Sequence, residues 1–234
     1  MNWVLIAAGA IVAVVAAGFL LYRKRLIGEA ALMAATPTSR AADVAKLAPG
    51  SVVEVIGTLR CASPLTAEFS NLPCAWFTSE ITRTVTRANN QGTETSRIQF
   101  STMHAPCAVE DASGRVALGL DGAEVEGEKV VDREEMERDV LGAIINAVQN
   151  VNARRRYTET ILAPDTAVYV LGQVQADHSV GKPAHGAVSK VFVVSNKSKE
   201  ARSKSLGSWI TGLWWLDIVL AVVALGLIGW GLHG

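Results

Sequence analysis

Three cysteines and two of the histidines in the middle region are candidates for binding a metal ion or acting in catalysis. They are Cys61, Cys74, Cys107, His104 and His178. Zinc sites use closely spaced pairs of Cys and His ligands, and here only His104 and Cys107 form such a pair. A nucleophile at Cys74 would need an adjacent base, and no spacing in the sequence supplies one. Because cysteine is often buried as a small apolar residue, the sequence predicts no catalytic residue, no metal site and no cofactor.

The second group of candidate functional residues is a basic run of three: Arg154, Arg155 and Arg156. It follows a segment predicted to be helical, where three cations complement the negative end of the helix dipole. The same run offers a contact to an anion or a lipid headgroup. Both interpretations stay open at the level of the sequence.

The elements that must position these residues lie between two long apolar segments, Trp3–Tyr22 and Trp209–Leu232. The first is 20 residues long and uncharged, enough to cross roughly 30 Å of hydrocarbon at about 1.5 Å per residue. Basic residues follow the first segment at 23–25 and precede the second in the basic juxtamembrane segment 196–207. Because such residues favour the cytoplasmic side, we predict two transmembrane helices, residues 3–22 and 208–232, with residues 23–207 in the cytoplasm.

One acid, Asp217, lies a turn or so inside the second apolar segment, next to Trp214 and Trp215. An acid within a membrane is rare and often functional, which predicts a role in transport by an oligomer. The alternative is an interfacial carboxylate that reaches water or a nearby lysine. The cluster of tryptophans at the basic end is typical of the membrane interface.

The composition limits the classes of function. The chain has 22 basic and 22 acidic residues, so its formal net charge is zero, and we predict no nucleic-acid partner. Its three cysteines are odd in number and widely spaced, which favours a reducing compartment over a disulfide framework. This agrees with the predicted cytoplasmic position of residues 23–207.

Between the spans, a helical linker (residues 23–50) precedes a β-rich α+β domain (residues 51–195). Alternating apolar residues predict its strands, and Gly57 interrupts the first strand as a bulge or close-approach position. Asp111 and Gly114 occupy the first and fourth positions of a predicted type I turn. The predicted fold is a small barrel-like β domain with one inserted amphipathic helix at about residues 132–153. Its evidence is a capping box, Asp132 with Glu135, and a stripe of apolar residues at helical spacing: Met136, Val140, Leu141, Ile144, Ile145 and Val148.

The order of short motifs in this domain resembles the GIDE family, whose domain is also called BAM, for "beside a membrane". The matching positions include Gly57, Pro64, Cys74, Asp111, Gly114, Glu159 and Gly172. The resemblance implies a β domain between two transmembrane helices, as in a mitochondrial E3 ubiquitin ligase and in many bacterial and archaeal proteins. Together with the predicted orientation, it implies an integral protein of a prokaryotic plasma (inner) membrane. That ligase acts through a RING finger, which needs eight Cys or His zinc ligands. This chain has three cysteines and four histidines, so the resemblance does not extend to a RING finger.

Three functions are compatible with these observations. The first is a non-catalytic, membrane-anchored scaffold that binds lipid and either a membrane-associated protein or a second copy of itself. The second is an E3 ubiquitin-ligase-like or other enzyme activity, which the family resemblance suggests. The third is an oligomeric membrane transport component that uses Asp217. We favour the first, because nothing in the sequence supplies a reactive constellation.

Overall fold

The computed structural model describes residues 2–87, 92–137, 151–184 and 191–233. The chain forms two compact units, one made of residues 1–37 and 198–234 and the other of residues 38–197. The described helices are α1 (Trp3–Ala35), α2 (Ala41–Val44) and α3 (Lys199–His233). The described strands are β1 (Thr38–Ser39), β2 (Val52–Arg60), β3 (Leu65–Thr66), β4 (Pro73–Cys74), β5 (Trp76–Arg87), β6 (Thr93–His104), β7 (Cys107–Asp111), β8 (Gly114–Leu118), β9 (Glu124–Glu126), β10 (Glu128–Met136), β11 (Val151–Leu162), β12 (Ala167–Val174), β13 (Val180–Gly181) and β14 (Val193–Ser195).

The first unit is an antiparallel pair of long helices, α1 and α3. They contain 33 and 35 residues, so each is about 50 Å long. Both are long and apolar enough to cross a membrane. The two long apolar helices predicted from the sequence are therefore confirmed, but α1 continues well past the predicted end of the first span at residue 22.

The two helices pack along a seam whose buried positions recur at spacings of three, four, seven or ten residues, as in a coiled coil. Glycines bring the backbones close together at one end. A Cβ atom on Gly9 would lie 2.6 Å from Cγ1 of Ile228, and one on Gly231 would lie 2.8 Å from Cγ1 of Ile6. The buried seam residues are Gly9, Ala16, Leu26, Glu29 and Met33 on α1 and Arg202, Leu206, Leu213, Asp217, Ala224 and Gly231 on α3.

The second unit contains a five-stranded barrel. Strands β2, β7, β8, β13 and β12 pair in this order, and β12 pairs back onto β2, which closes the ring. Short strands β1, β14 and β9 extend the sheet beyond the ring. Alternate residues of the barrel strands fill its interior. The fully buried members of this core include Val53, Val55, Leu59, Val109, Val168 and Val170. The prediction of a β-rich, barrel-like domain is confirmed.

The same unit contains a long four-stranded antiparallel sheet in the order β10–β11–β5–β6. Its two central strands, β5 and β11, pair over twelve residues. The predicted pair of strands around the turn at residues 89–92 forms β5 and β6, although residues 88–91 of that turn lie outside the described residues. This long sheet, rather than the barrel, carries most of the exposed strand surface.

The prediction of an inserted helix at residues 132–153 is wrong at both ends of that segment, which are strands. Residues 132–136 belong to β10 and residues 151–153 to β11, and these two strands pair with each other. Asp132 and Glu135 therefore form no capping box, because both lie in an extended strand. The local helical spacing of apolar residues is overridden here by pairing with residues about twenty positions away along the chain. Residues 138–150, with the rest of the apolar stripe, lie outside the described residues.

Candidate functional site

The edge strand β6 is the most exposed element of the β domain. Eleven of its twelve residues are exposed, and among the described residues no strand pairs with its outer side. Three large apolar side chains lie on it, each about half exposed: Ile98 at 51%, Phe100 at 53% and Met103 at 51%. An edge with unpaired backbone groups and apolar side chains is able to accept an added strand.

A β-bulge shapes this edge. The pairing between β5 and β6 shifts register between Ile81 and Thr82, which leaves Ile98 as the additional residue of β6. A bulge increases the local twist and re-aims the neighbouring side chains. The guanidinium of Arg97 lies 5.0 Å from the ring centre of Phe100 and also donates a hydrogen bond of 2.8 Å to Glu80.

The three predicted anion-binding arginines lie on strand β11, not at the end of a helix, so the expected helix-dipole contact is wrong. Arg156 forms two hydrogen bonds with Asp132 of 2.7 and 2.8 Å, and Arg154 lies 3.4 Å from Glu134. The hydrogen bond from Arg156 is the main reason why the pKa of Asp132 lies well below its ordinary value. Contact between these arginines and an anion or lipid stays a prediction, and it would compete with the cross-strand acids.

The middle arginine of the run shares an acid with a neighbouring strand. Arg155 and Arg83 both donate hydrogen bonds to Glu137, at 2.5 and 2.7 Å. The carboxylate of Glu137 is almost fully buried, and the hydrogen bond from Arg83 is the first cause that lowers its pKa to about 2. This acid therefore ties β5 and β11 together at the far end of the long sheet.

Glu159 is a fully buried carboxylate that holds a loop onto the long sheet. It accepts hydrogen bonds from the backbone N–H groups of Phe69 and Ser70, at 2.7 and 2.8 Å. The ring of Phe69 also packs edge-on against Tyr157, with centroids 5.7 Å apart. Because the loop lies between β3 and β4, this acid positions the segment that enters β5.

Asp111 connects a turn to the short helix α2. Its carboxylate accepts hydrogen bonds from the backbone N–H of Ala41 at 2.9 Å and from the hydroxyl and N–H of Ser113. The hydroxyl contact is the main reason why the pKa of Asp111 falls to about 2. The predicted turn is confirmed, since Asp111 pairs with Gly114 at the end of the β7–β8 hairpin. Gly114 adopts φ +151°, which favours glycine.

The thiols of Cys74 and Cys107 have properties of buried cysteines rather than of nucleophiles. Burial is the main cause that raises the pKa of Cys74 to about 11 and that of Cys107 to about 12. Because the thiolate is the reactive form, both are poor nucleophiles at neutral pH. Among the described residues, no group of three or more His, Cys, Asp or Glu side chains has the arrangement of a metal site.

Two charge pairs are seen among the described residues of the helical unit. The Nε atom of Arg23 lies 3.5 Å from Oδ2 of Asp217, so the neighbour of this acid is an arginine of α1. Farther along the pair of helices, Arg202 donates two hydrogen bonds to Glu29, at 2.6 and 3.1 Å. Both side chains of the second pair are only 4% exposed.

Sequence reasoning missed Glu29 and Arg202. Arg202 appeared to be one of several basic residues near the membrane, whereas the structure buries it between the helices. A usable signal did exist. If α1 is extended to residue 35, then Leu26, Glu29 and Met33 follow the coiled-coil spacing, which places one acid in the seam. A second unpredicted acid of this kind, Glu54, is fully buried in the β domain, where the hydroxyl of Tyr169 donates to it at 3.1 Å.

Comparison with known protein families shows to which family the chain belongs. A family profile described as "GIDE: E3 Ubiquitin ligase" matches residues 78–229, well over half of the 234 residues. The chain belongs to the GIDE family. Comparison with curated proteins and with solved structures found no match.

Two glycines at positions on which the sequence resemblance rests permit close approach between strands. A Cβ atom on Gly57 would lie 2.5 Å from the carbonyl oxygen of Glu110, because β2 passes between β12 and β7 at this point. A Cβ atom on Gly172 would lie 2.9 Å from the ring of Phe192. The predicted close approach at Gly57 is confirmed.

Two further positions on which the sequence resemblance rests, Pro64 and Cys74, belong to the region around β3 and β4. Pro64 is exposed and directly precedes β3, whereas Cys74 ends β4 and is fully buried. The thiol of Cys74 points to the carbonyl oxygen of Leu65 at 3.7 Å. The contacts of Glu159 and Cys74 hold both sides of the loop at residues 67–72.

Proposed function

We propose that the chain is a two-span membrane protein whose β domain is a non-catalytic binding module on the cytoplasmic side. The spacing of aromatic side chains on the helices supports the two spans. Trp3 and Tyr22 are exposed and 19 residues apart on α1, or roughly 30 Å. Trp209 and Trp230 are exposed near the two ends of the apolar part of α3. Aromatic belts at both interfaces of a bilayer have this separation.

The distribution of basic residues supports the orientation. Arg23, Lys24 and Arg25 directly follow the first apolar segment, and Lys199 and Lys204 precede the second. Positive residues within about 15–20 residues of a span favour the cytoplasmic side. The β domain between the two spans then lies on that side. Two anchors confine it to the membrane surface, which raises its effective concentration for other membrane proteins.

The state of the polar groups in the β domain supports binding rather than catalysis. The carboxylates of Asp111, Glu137 and Glu159 each accept hydrogen bonds that hold the fold together. The thiols of Cys74 and Cys107 have raised pKa values. The three carboxylates serve structure, and each would have to abandon its hydrogen bonds to act on a substrate.

The exposed edge strand β6 is the observation that carries the binding role. We propose that β6 binds an extended segment of a membrane-associated protein, which adds to the sheet as a further strand. Such a segment pairs with the free backbone groups of β6, and its apolar side chains cover Ile98, Phe100 and Met103. A strand of twelve residues offers enough length for a specific register.

Site-specific photo-crosslinking in native membranes tests this assignment. A photoreactive amino acid replaces Phe100 on β6 in one variant and Met136 on β10 in a matched control. Met136 is also exposed, at 61%, and lies on a different strand of the same sheet. We expect a discrete cross-linked partner from position 100, and none from position 136. The partner should disappear when Ile98→Glu is added.

Three results would contradict the assignment. Equal cross-linking from both positions would mean non-specific contact. A product of twice the mass of the chain would make a second copy the occupant of β6. No cross-linked product from position 100 in native membranes would remove β6 as the binding edge.

The description of the matched family favours a second candidate function, in which the protein takes part in ubiquitin ligation without catalysing it. In that case the β domain would bind a component of a ligase complex, because three cysteines and four histidines cannot provide eight RING ligands within these 234 residues. Identification of the cross-linked partner by mass spectrometry separates the two candidates. A ubiquitin-conjugating or ubiquitin-like protein would favour the second, and any other membrane protein would favour the first.

A further inference from the structure

Two cysteines lie opposite each other at the rim of the barrel. Arg60 of β2 pairs with Ala108 of β7, so the next positions along the two antiparallel strands are Cys61 and Cys107. Both residues are half-buried, both pack against the barrel core, and both line one shallow depression of about 390 Å³. The thiol of Cys61 points to the carbonyl oxygen of Pro106, the residue before Cys107, at 3.5 Å.

The hydrogen-bond pattern tells which kind of cross-strand pair they form. The N–H and carbonyl of Leu59 bond to Thr166 and Asp165, away from β7. Leu59 and Val109 are therefore a non-hydrogen-bonded pair, and the positions two residues further on, 61 and 107, repeat that geometry. In such pairs the Cα atoms are about 4.5 Å apart and the side chains lie on one face. A disulfide requires Cα atoms about 4.4–6.8 Å apart.

We propose that Cys61 and Cys107 are a redox-active dithiol that small disulfides oxidise to a cross-strand disulfide. Little backbone movement is needed, because one further step of the β2–β7 pairing beyond Arg60 and Ala108 would put the two Cα atoms about 4.5 Å apart. Each thiol only has to release a weak contact, from Cys61 to Pro106 and from Cys107 to the carbonyl oxygen of Leu118 at 3.5 Å. This inference is independent of the proposed function.

The reaction proceeds by two thiol–disulfide exchanges. The thiolate of Cys61 attacks one sulfur of oxidised glutathione, which breaks the S–S bond and expels one glutathione thiolate. The thiolate of Cys107, whose proton passes to water, then attacks the sulfur of Cys61 and expels the second glutathione. Two protein thiols are oxidised and one glutathione disulfide is reduced to two thiols. Cys61 attacks first, because burial raises the pKa of Cys107 to about 12.

The product would close the segment between the two cysteines. That segment contains β5 and β6, so oxidation would tie half of the long sheet to the rim of the barrel by a covalent bond. A closed loop restricts the unfolded chain and resists opening of the sheet. The effect is reversible, since excess reduced thiol reverses both exchanges.

Mass spectrometry of the full-length protein in detergent micelles tests the proposal. The folded protein is incubated with oxidised glutathione, and its free thiols are then alkylated under denaturing conditions. We expect the wild type to lose two hydrogen atoms, to carry no glutathione and to keep one alkylated thiol, Cys74. Cys107→Ser should retain a glutathione adduct on Cys61, because the second exchange cannot occur. Cys74→Ser is the matched control and should form the bridge as the wild type does.

Several outcomes would overturn the proposal. A wild type that keeps its glutathione adduct would show that Cys107 cannot reach Cys61. A bridge that survives in Cys107→Ser would assign the disulfide to Cys74 instead. Absence of reaction in the folded protein, when the denatured protein reacts, would show that the pair is inaccessible. Tryptophan fluorescence of each variant confirms that it is folded before the reaction.

Discussion

The buried pair Glu29–Arg202 should be the most sensitive contact of the helical unit. Both side chains are 4% exposed, and two nitrogen atoms of Arg202 donate to one oxygen of Glu29. Glu29→Gln removes the charge of one partner and nearly keeps its shape. It removes the carboxylate that accepts two hydrogen bonds from the buried guanidinium of Arg202.

Removal of one partner of a buried ion pair costs about 3–5 kcal/mol. That corresponds to a change of roughly two to nearly four orders of magnitude in the unfolding equilibrium. Replacement of both partners by apolar residues of similar size, Glu29→Met with Arg202→Leu, should restore most of the stability, because no charge then remains buried. The pair is thus expected to fix the register of the helices rather than to add much net stability.

The assay is unfolding of the purified protein in mixed micelles as the fraction of denaturing detergent rises. Five of the six tryptophans lie on α1 and α3, so their fluorescence reports on the helical unit. Lys24→Met, on an exposed position of α1, is the control and should shift the free energy of unfolding by no more than about 0.5 kcal/mol. A Glu29→Gln variant within about 1 kcal/mol of the wild type, or a double variant less stable than either single one, would refute the reasoning.

Three further predictions concern the β domain. Glu159→Gln should lower the free energy of unfolding by about 1.5–3 kcal/mol in chemical denaturation and should expose the loop at residues 67–72 to protease; an unchanged cleavage rate would contradict the loop's dependence on this carboxylate. Gly57→Ala should destabilise the barrel by about 1–3 kcal/mol, since its new Cβ would meet a backbone carbonyl at 2.5 Å, whereas Gly119→Ala, with 4.0 Å of space, should stay near the wild-type Tm. The pKa of Asp111 falls from 3.8 to about 2 on folding, so its stabilising contribution is present above about pH 4 and is lost as the pH falls toward 2. Asp111→Asn should therefore flatten the loss of stability in that window, and an unchanged pH profile would contradict it.

The helices and the barrel were predictable because their signals are local. Twenty uncharged residues from Trp3 to Tyr22 indicate a long apolar helix, and alternating apolar residues around Val53 and Val55 indicate a strand with one buried face. The turn at Asp111 and Gly114 was predictable for the same reason, since both residue types have strong preferences at those positions.

The pairing of β10 with β11 was not predictable in this way. Met136 and its apolar successors have helical spacing, but residues 128–136 are extended because they pair with residues 154–161. The ion pair of Arg156 with Asp132 links the same strands, and only that pairing brings the two residues together. The partner of Asp217 was missed for a similar reason, because Arg23 lies nearly two hundred residues away in the sequence.

The central claim is that α1 and α3 both cross the membrane and leave residues 38–197 on the cytoplasmic side. A reporter enzyme that is active only outside the cytoplasm tests it most directly when it is fused after Gly234 and, in a second fusion, after Lys197 of a chain without α3. Activity of the first fusion together with inactivity of the second is the predicted result. An inactive fusion at Gly234, from a protein that is stable and present in the membrane, would contradict the claim.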